Sequence, residues 1–237
     1  MRRIQIRLEE KPQSYRYLDS VHGALINGLT AAGVPFRTLA GMKAEPWTFA
    51  CKGYARPGGE MVLRSVLVSS ASDAISAGLA RLKPENLVKC SSNGDRIDMS
   101  SARIQEERRG LAPGQEEVCV AFASRFAVPF PKNGKGGKTA FCQSPAETSF
   151  PDALRSSLNR RAGRDLDLEV LIDRLTLMTE GASRFISLRK AGSKRIMIPA
   201  FNMPVALRGA AEDVAFAFHA GMGAKANLGF GCPIVQE

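Results

Sequence analysis

The sequence has few of the side chains that bind metal ions. Its 237 residues include two histidines, His22 and His219, which are separated by almost the whole chain. The five cysteines are odd in number and form no C-x-x-C pair: Cys51, Cys90, Cys119, Cys142 and Cys232. This spacing argues against both a disulfide framework and a zinc site. We therefore predict no metal and no cofactor, and we interpret the cysteines as small buried residues of a reducing compartment.

The sequence also lacks long apolar runs. No segment approaches the roughly 20 apolar residues that span a membrane, and no lipidation motif is present. The N-terminal residues Met1, Arg2 and Arg3 lead directly into alternating apolar and polar residues, without the apolar segment of a signal peptide. We expect a cytoplasmic protein with no membrane partner.

Acidic residues are outnumbered by basic ones, which gives a net charge of +10. Of the 33 basic residues, 22 are arginines, whose planar guanidinium matches a phosphate group better than the lysine ammonium does. This excess favours a polyanionic partner, and we prefer nucleic acid over an anionic membrane surface. Because 44% of the residues are hydrophobic, the chain has ample material for a folded core.

The first half shows a regular succession of strand and helix patterns. The predicted elements are a strand at 3–8, a helix at 15–32 with a possible cap at Ser14, strands at 47–54 and 61–69, a helix from Ser72 to about 82, and a strand at 96–106. This β-α-β-β-α-β order is the ferredoxin-like plan. We assign it to an N-terminal domain at residues 1–107.

The second half follows a polar linker at about 106–115 and repeats the plan with additions. The predicted elements are a strand at 118–126, a helix from Phe150, an amphipathic helix at 165–177, strands at 183–189, 195–201 and 205–207, and a helix at 211–220. The predicted fold is therefore α+β, with two tandem ferredoxin-like domains. The second domain, 116–237, carries a helical insertion at about 150–180.

The run 221–231 combines four glycines with one lysine. Gly221, Gly223 and Ala226 satisfy the spacing of the dinucleotide-binding fingerprint, but that motif must open a helix within a βαβ unit that also has a later acidic residue. We expect no such unit in the six residues that follow. Glycines let the backbone approach a ligand closely and offer bare N–H donors, so the run predicts phosphate binding. The candidate residues for binding a phosphate chain here are Gly221, Gly223, Lys225, Asn227, Gly229 and Gly231.

Further basic residues are candidates for contact with nucleic acid. They are Arg155, Arg160, Arg161 and Arg164 on or near one predicted helix, and Lys194 and Arg195 at the start of a strand. A solvated helix face remains the alternative for the arginines. The loop 132–139 is similar to the end of a Walker A loop but lacks its first glycine and its following helix. We favour a solvated basic hairpin loop there over a specific phosphate site.

The glycine run directly after a short helix resembles the glycine-rich signature of the repeat-associated mysterious proteins (the RAMP superfamily), and especially of their CRISPR repeat-RNA endoribonucleases. Residues 66–82 are similar to part of that family's N-terminal domain, 150–160 resemble its "proline, acidic, Ser-Leu-x-x-Arg" element, and 195–201 its strand before the last helix. The high arginine content is similar to that of divergent members associated with type IV CRISPR systems. So is the lack of a histidine at the position where the family's motif has one.

The resemblance implies a protein that binds the precursor CRISPR transcript at the repeat stem-loop and cleaves it without metal. The ribose 2′-hydroxyl would attack, leaving 2′,3′-cyclic phosphate and 5′-hydroxyl ends, and the mature guide RNA would be retained. Other CRISPR effector subunits would be partners. Two alternatives stay open: a non-cleaving RNA-binding subunit of a CRISPR ribonucleoprotein, and a basic protein that binds ribosomal or messenger RNA.

The family's histidine is expected within residues 37–41, where this chain has Ala40. His22 is the nearest histidine, but Leu18, Leu25 and Leu29 surround it on a helix, so that packing is its competing role. Arginine can stabilise a phosphorane although it is a poor base. The catalytic candidates are His22, Arg37, Tyr15, Arg16 and Arg208, with Tyr17 as a further hydroxyl donor. His219 adjoins the glycine run, and we expect it to be buried.

Overall fold

The computed structural model describes residues 1–9, 12–41, 44–90, 96–107, 110–130, 140–179, 183–192 and 194–236. The basic loop predicted at 132–139 lies outside these ranges. The first half contains β1 (Arg2–Arg7), β2 (Gln13–Tyr15), α1 (Leu18–Ala31), α2 (Phe36–Leu39), β3 (Trp47–Ala55), β4 (Met61–Ser70), α3 (Asp73–Ala80), β5 (Val88–Cys90), β6 (Arg96–Asp98) and β7 (Arg103–Glu106). The second half contains β8 (Glu117–Phe122), α4 (Phe150–Ala162), β9 (Leu168–Leu171), α5 (Arg174–Thr179), β10 (Arg184–Ala191), β11 (Lys194–Ala200), β12 (Val205–Gly209), α6 (Ala211–Ala220) and β13 (Pro233–Val235).

Each half forms an antiparallel sheet with the strand order of a ferredoxin-like unit. In the first sheet β7, β1, β4 and β3 lie side by side, and the short β2 pairs with the start of β4. In the second sheet the order is β13, β8, β12 and β9. Both sheets therefore follow the β-α-β-β-α-β plan predicted from the sequence. The second unit has an insertion between β9 and β12, formed by α5 and the β10–β11 hairpin. The predicted bounds of the helical insertion, about 150–180, need correction, because α4 and β9 belong to the ferredoxin-like plan and α5 is the only helix of the insertion among the described residues.

Three local predictions were wrong. Ser14 does not cap α1, because it lies in β2 opposite Val62, and the helix begins at Leu18 with no side-chain cap. The predicted strand at 96–106 is divided between β6, which pairs with β5, and β7, which pairs with β1. Two of the cysteines, Cys90 and Cys119, are exposed rather than buried.

The helix predicted at 165–177 is also wrong, because its first part is strand β9. Leu168 and Val170 are buried and the intervening Glu169 is exposed, which is the two-residue period of a half-buried strand. The strand pairs with β12. Because β9 has only four residues, its alternation of apolar and polar side chains was too short to outweigh the helical pattern of the surrounding sequence. In this arrangement α4 fills the place of the first ferredoxin helix.

Sequence signals explain the bounds of α4, which is the helix that reaches the candidate site. Ser149 accepts a hydrogen bond from the Asp152 amide, and Pro151 occupies the first turn. Gly163 ends the helix with a φ of 70°, in the left-handed region. Phe150, Leu154 and Leu158 form its buried face. The opposite face presents arginine to solvent.

The two units share apolar packing. The core of the first unit contains Val21, Trp47 and Phe49, and it also includes Ala127 and Phe230 from the second half of the chain. Phe230 belongs to the glycine run, so that run is part of the junction between the units. None of the described helices is long and apolar enough to cross a membrane.

Candidate functional site

We call residues 221–231 the glycine loop. Gly221, Gly223, Gly229 and Gly231 have φ values of 81°, 78°, 92° and 60°, a region that glycine adopts without strain. Lys225 has a φ of 61° and is the sole non-glycine residue with positive φ among those the structure describes. Such a conformation costs about 1–3 kcal/mol and is concentrated at functional sites. The exposed Lys225 is therefore held in a costly conformation at the surface of the loop.

Packing against both units accounts for the glycines. A Cβ at Gly221 would lie 2.6 Å from the Cβ of Thr48, and one at Gly229 would lie 2.8 Å from the Phe49 ring, both on β3. A Cβ at Gly223 would lie 2.6 Å from the Ala127 carbonyl oxygen. These glycines are consequently buried, and they let the loop approach β3 closely.

Several loop amides are already hydrogen-bonded within the protein. The Met222 amide donates to the Gly231 carbonyl oxygen at 2.8 Å, and the Ala224 amide donates to the Ala127 carbonyl oxygen at 2.9 Å. The interpretation of the run as a source of bare N–H donors thus needs correction at these positions. The side chains of Lys225 and Asn227 remain at its surface.

A cavity of about 790 Å³ lies beside the glycine loop, and we call it the loop cavity. Lys225 and Asn227 line it from the loop, Arg160 lines it from α4, and Gly41 lines it from the stretch in which the family histidine was expected. The cavity therefore joins three regions that are far apart in sequence. It also contains two carboxylates, Glu45 and Asp152, that the sequence analysis did not single out. Glu45 accepts a hydrogen bond from the Ser72 hydroxyl, whereas Asp152 is exposed.

Two of the four arginines near α4 have their guanidinium groups engaged within the protein. Arg161 donates hydrogen bonds to the backbone carbonyl oxygens of Gly221 at 2.7 Å and Trp47 at 3.2 Å, and also to that of Ala220. Burial lowers the Arg161 pKa to about 10, so it stays protonated at neutral pH. The second engaged arginine, Arg164, lies just beyond the end of α4.

Arg164 binds the carboxylate of Asp213, which is buried at the start of α6. This hydrogen bond raises the pKa of the Arg164 guanidinium, and the Asp167 amide donates to the same carboxylate at 2.8 Å. By contrast, Arg155 and Arg160 are exposed. Arg160 and Arg161 line the loop cavity, whereas Arg155 and Arg164 do not.

A second cavity, of about 480 Å³, lies under the β10–β11 hairpin, and we call it the hairpin cavity. It brings together Tyr15, Arg16 and Arg195 with Gly229 of the glycine loop. Arg16 and Arg195 are exposed, whereas Tyr15 is buried. Burial and an interaction with Cys51 raise the Tyr15 pKa, so its hydroxyl stays protonated. Tyr17 lines the same cavity and is also buried.

Both histidines are largely removed from solvent. The ring of His22 stacks on Trp47 and Phe49, with ring centroids 5.7 and 6.2 Å away, and its Nε2 is buried with no hydrogen-bond partner among the described residues. Burial lowers the His22 pKa to about 4. His219 Nδ1 lies 3.1 Å from the Ser69 hydroxyl, and burial, with the charge of Arg3, lowers its pKa to about 4. Neither ring lines the loop cavity or the hairpin cavity.

The remaining candidates are dispersed. Arg37 is exposed on α2, four residues before Gly41 of the loop cavity. Lys194 is exposed at the start of β11. Arg208 is exposed on β12 and forms an ion pair with Glu117 at 3.0 Å, and it lines neither cavity. Across the described ranges, no group of three or more histidine, cysteine or acidic side chains is placed to hold a metal ion.

A family model matches the second half of the chain, and solved structures match its whole length. Residues 114–234 match the family model described as "CRISPR associated protein Cas6, C-terminal". A solved structure described as "Characterization of a Cas6-related gene from Pyrococcus furiosus" is 18% identical, with a TM-score of 0.68 and coverage of 100% of this chain and 98% of that one. Another, "An RAMP protein binding different RNA substrates", is 18% identical, with a TM-score of 0.66 and full coverage of both chains.

A third solved structure, a Cas6 product complex, is also 18% identical, with a TM-score of 0.56 and coverage of 99% of both chains. At this level of identity the structural matches show a common fold. No curated protein sequence matches the chain significantly.

Proposed function

Since this chain belongs to the Cas6 family of CRISPR-associated proteins, whose C-terminal model it matches over residues 114–234, we propose that it matures CRISPR RNA. It binds the precursor transcript at the repeat stem-loop and cleaves it by attack of the ribose 2′-hydroxyl on the adjacent phosphate. The products are a 2′,3′-cyclic phosphate and a 5′-hydroxyl end, and the mature guide RNA stays bound. The cytoplasmic location, the other CRISPR effector subunits as partners and the type IV association remain predictions.

The observation that carries this proposal is the position of the glycine loop. It packs on β3 of the first unit and on α4 of the second, and it presents Lys225 to the loop cavity. Arg160 and Arg161 line the same cavity, so the exposed cations of Lys225 and Arg160 face one space into which a phosphate can enter. Two structures of the same fold are described as a RAMP protein that binds RNA and as a product complex, which supports RNA as the ligand.

The residues around the loop cavity suit stabilisation of a phosphorane more clearly than they suit proton transfer. Lys225 and Arg160 supply positive charge at the cavity, and Arg37 lies four residues before its lining residue Gly41. Such charge stabilises the negative charge that the transition state gains. The hairpin cavity, with Arg16 and Arg195, extends the basic surface along which the RNA backbone lies. Most of the rate then comes from holding the 2′-hydroxyl in line with the scissile phosphate.

Proton transfer has two candidate groups. Asp152 is the exposed carboxylate of the loop cavity and is able to accept a proton from the 2′-hydroxyl. His22 reaches the cavity only if RNA binding separates its ring from Trp47 and Phe49. The other catalytic candidates, Tyr15, Arg16 and Arg208, lie in the hairpin cavity or on β12, where binding of the RNA is the more suitable role.

A second function is favoured by one specific observation. Ala40 stands where the family histidine was expected, and both histidines of the chain are packed away from the cavities. A protein with this site would hold RNA without cutting it if no other group transfers the proton, so a non-cleaving RNA-binding subunit of a CRISPR ribonucleoprotein is the alternative.

Incubation of a repeat stem-loop RNA with stoichiometric protein in EDTA distinguishes the two functions. A product ending in a 2′,3′-cyclic phosphate supports the enzyme, whereas intact but tightly bound RNA supports the binding subunit. A scrambled stem-loop of the same composition is the control. Equal affinity for both RNAs would contradict either CRISPR function and favour a general RNA-binding protein.

A further inference from the structure

Arg161 is a partly buried arginine with an unusual set of partners. Its guanidinium donates to three backbone carbonyl oxygens, those of Trp47, Ala220 and Gly221. Within the described part of the chain it forms no ion pair with a carboxylate. Burying a guanidinium costs free energy unless its donors are satisfied, and here backbone oxygens satisfy them.

The three carbonyl groups belong to the parts of the molecule that surround the loop cavity. Ala220 and Gly221 form the end of α6 and the start of the glycine loop, where carbonyl groups have no helical partner and attract a cation. Trp47 begins β3 in the first unit, and its indole Nε1 donates to the Leu39 carbonyl oxygen at 3.0 Å. A connected set of hydrogen bonds therefore runs from the glycine loop through Arg161 to the stretch beside Gly41.

The same face of α4 makes a second contact with the loop. Ser157, one helical turn before Arg161, donates from its hydroxyl to the Gly223 carbonyl oxygen at 2.9 Å. The neighbouring Arg160 also lines the loop cavity, but its side chain is exposed, whereas that of Arg161 is partly buried against the loop. Two adjacent arginines consequently have different environments: Arg160 is available to the RNA, and Arg161 is used to hold the protein together.

We propose that Arg161 is a positioning residue for RNA cleavage, which sets the separation of the glycine loop and the first unit across the loop cavity. Its effect on cleavage rests on the proposed function, whereas its effect on the loop does not. Arg161 lines the loop cavity, but its guanidinium is engaged by three backbone carbonyl oxygens. Its loss is therefore expected to change the geometry of the bound RNA rather than the number of phosphate contacts. A misplacement of about 1 Å costs about 100-fold in rate.

The test measures the single-turnover cleavage rate at saturating RNA together with the Kd at several salt concentrations. Arg161→Gln is expected to lower the rate by about 100-fold, with the slope of log Kd against log salt unchanged. Arg161→Lys, which retains the charge, should recover part of the rate. In contrast, Arg160→Gln should weaken binding and reduce the slope by about 1.

Arg81→Gln is the matched control. Arg81 also places its guanidinium on a carbonyl at a helix end, that of Ala32, at 3.1 and 3.2 Å, and it lines neither cavity. It should leave rate and Kd unchanged. An unchanged rate in Arg161→Gln would overturn the proposal, as would a salt slope reduced by about 1, which would make Arg161 a phosphate contact.

Two additions keep the proposal testable. If Arg161→Gln does not fold, Ser157→Ala weakens the same contact, and an unchanged rate in both Ser157→Ala and Arg161→Lys would overturn the role. Hydrogen exchange of the Met222 and Ala224 amides in the RNA-free protein should be faster in Arg161→Lys or Arg161→Gln than in the wild type. If the wild type binds RNA without cutting it, the proposed cleavage fails, while this exchange measurement still decides whether Arg161 fixes the loop.

Discussion

The imidazole of His22 lies parallel to the indole of Trp47, with the ring centroids 5.7 Å apart and the planes inclined by 17°. Phe49 stacks on the same histidine, so the ring is enclosed by aromatic carbon on β3. On the other side of β3, the Thr48 hydroxyl donates a hydrogen bond to the Phe230 carbonyl oxygen at 3.0 Å. The histidine nearest to the expected catalytic position thus packs against the β3 residues that contact the glycine loop.

We expect His22→Phe to retain cleavage at saturating RNA, because phenylalanine preserves the stacked ring and the imidazole does not line either cavity. The measurement is single-turnover cleavage of the repeat stem-loop. Loss of a group that transfers a proton lowers the rate by about 10²–10⁴-fold. A fall of that size in a folded variant would show that the ring enters the cavity when RNA binds.

Asp152→Asn should reduce cleavage far more than RNA affinity if Asp152 accepts the proton of the 2′-hydroxyl. The amide preserves the shape of the side chain and removes its basicity. A drop of about 100-fold or more in the rate at saturating RNA is expected. Asp165→Asn, an exposed carboxylate that lines neither cavity, is the control. A similar rate in the wild type and Asp152→Asn would exclude this role.

Stability should fall in mild acid because His22 is buried in its neutral form. Its pKa is about 4 in the folded protein against 6.5 in the unfolded chain, so the unfolded state binds more protons between these values. The free energy of unfolding then decreases as pH falls through this window. From pH 7 to pH 5 the loss due to His22 is about 2 kcal/mol.

Urea unfolding of the wild type and of His22→Phe at both pH values measures this loss. The variant should lose about 2 kcal/mol less than the wild type. His219 has a similarly lowered pKa, so some acid sensitivity should persist in the variant. The same pH dependence in both proteins would mean that His22 accepts a proton without penalty.

Gly231→Ala should destabilise the protein and weaken RNA binding. Gly231 has positive φ, and a Cβ there would overlap the Met222 carbonyl group. Gly163→Ala is the control, since it has a similar φ with nothing within 4 Å. The control should cost only the strain of the left-handed backbone, about 1–2 kcal/mol, whereas the steric overlap at Gly231 should add about 1–3 kcal/mol. Equal losses of stability would show that the loop is not closely packed.

Lys225→Gln should weaken RNA binding and reduce the slope of log Kd against log salt by about 1, because one phosphate contact is lost. Lys83→Gln, which removes an exposed lysine that lines neither cavity, should leave the slope unchanged. Filter binding or fluorescence anisotropy between low and high salt measures both. An unchanged slope in Lys225→Gln would exclude a phosphate contact for this residue.

Periodicity predicted most of the fold because both sheets have one buried face. β1, β3, β4, α1 and α6 lie close to the predicted bounds, and the RAMP resemblance is confirmed by the Cas6 family match. The failures are short elements. β9 has four residues, and its identity as a strand depends on pairing with β12, which is 34 residues or more away in sequence and invisible to a local pattern.

The candidate site was predictable only in part. The glycine loop was recognised because glycine spacing is a local signal, and Arg160 and Lys225 do meet at the loop cavity. The separate environments of Arg160 and Arg161 were not recognisable, because the two are adjacent and of the same residue type. Their difference arises from carbonyl groups at Trp47 and Gly221, which only the tertiary fold brings to one side of the helix.

Trp47 is the sole tryptophan of the chain. It is fully buried, and its ring contacts His22 and Phe49. Its carbonyl oxygen accepts a hydrogen bond from Arg161 of the second unit. The molecule consequently carries a built-in fluorophore at the junction of its two halves. Emission from that one indole reports the joining of the halves directly, without a label and without a contribution from any other tryptophan.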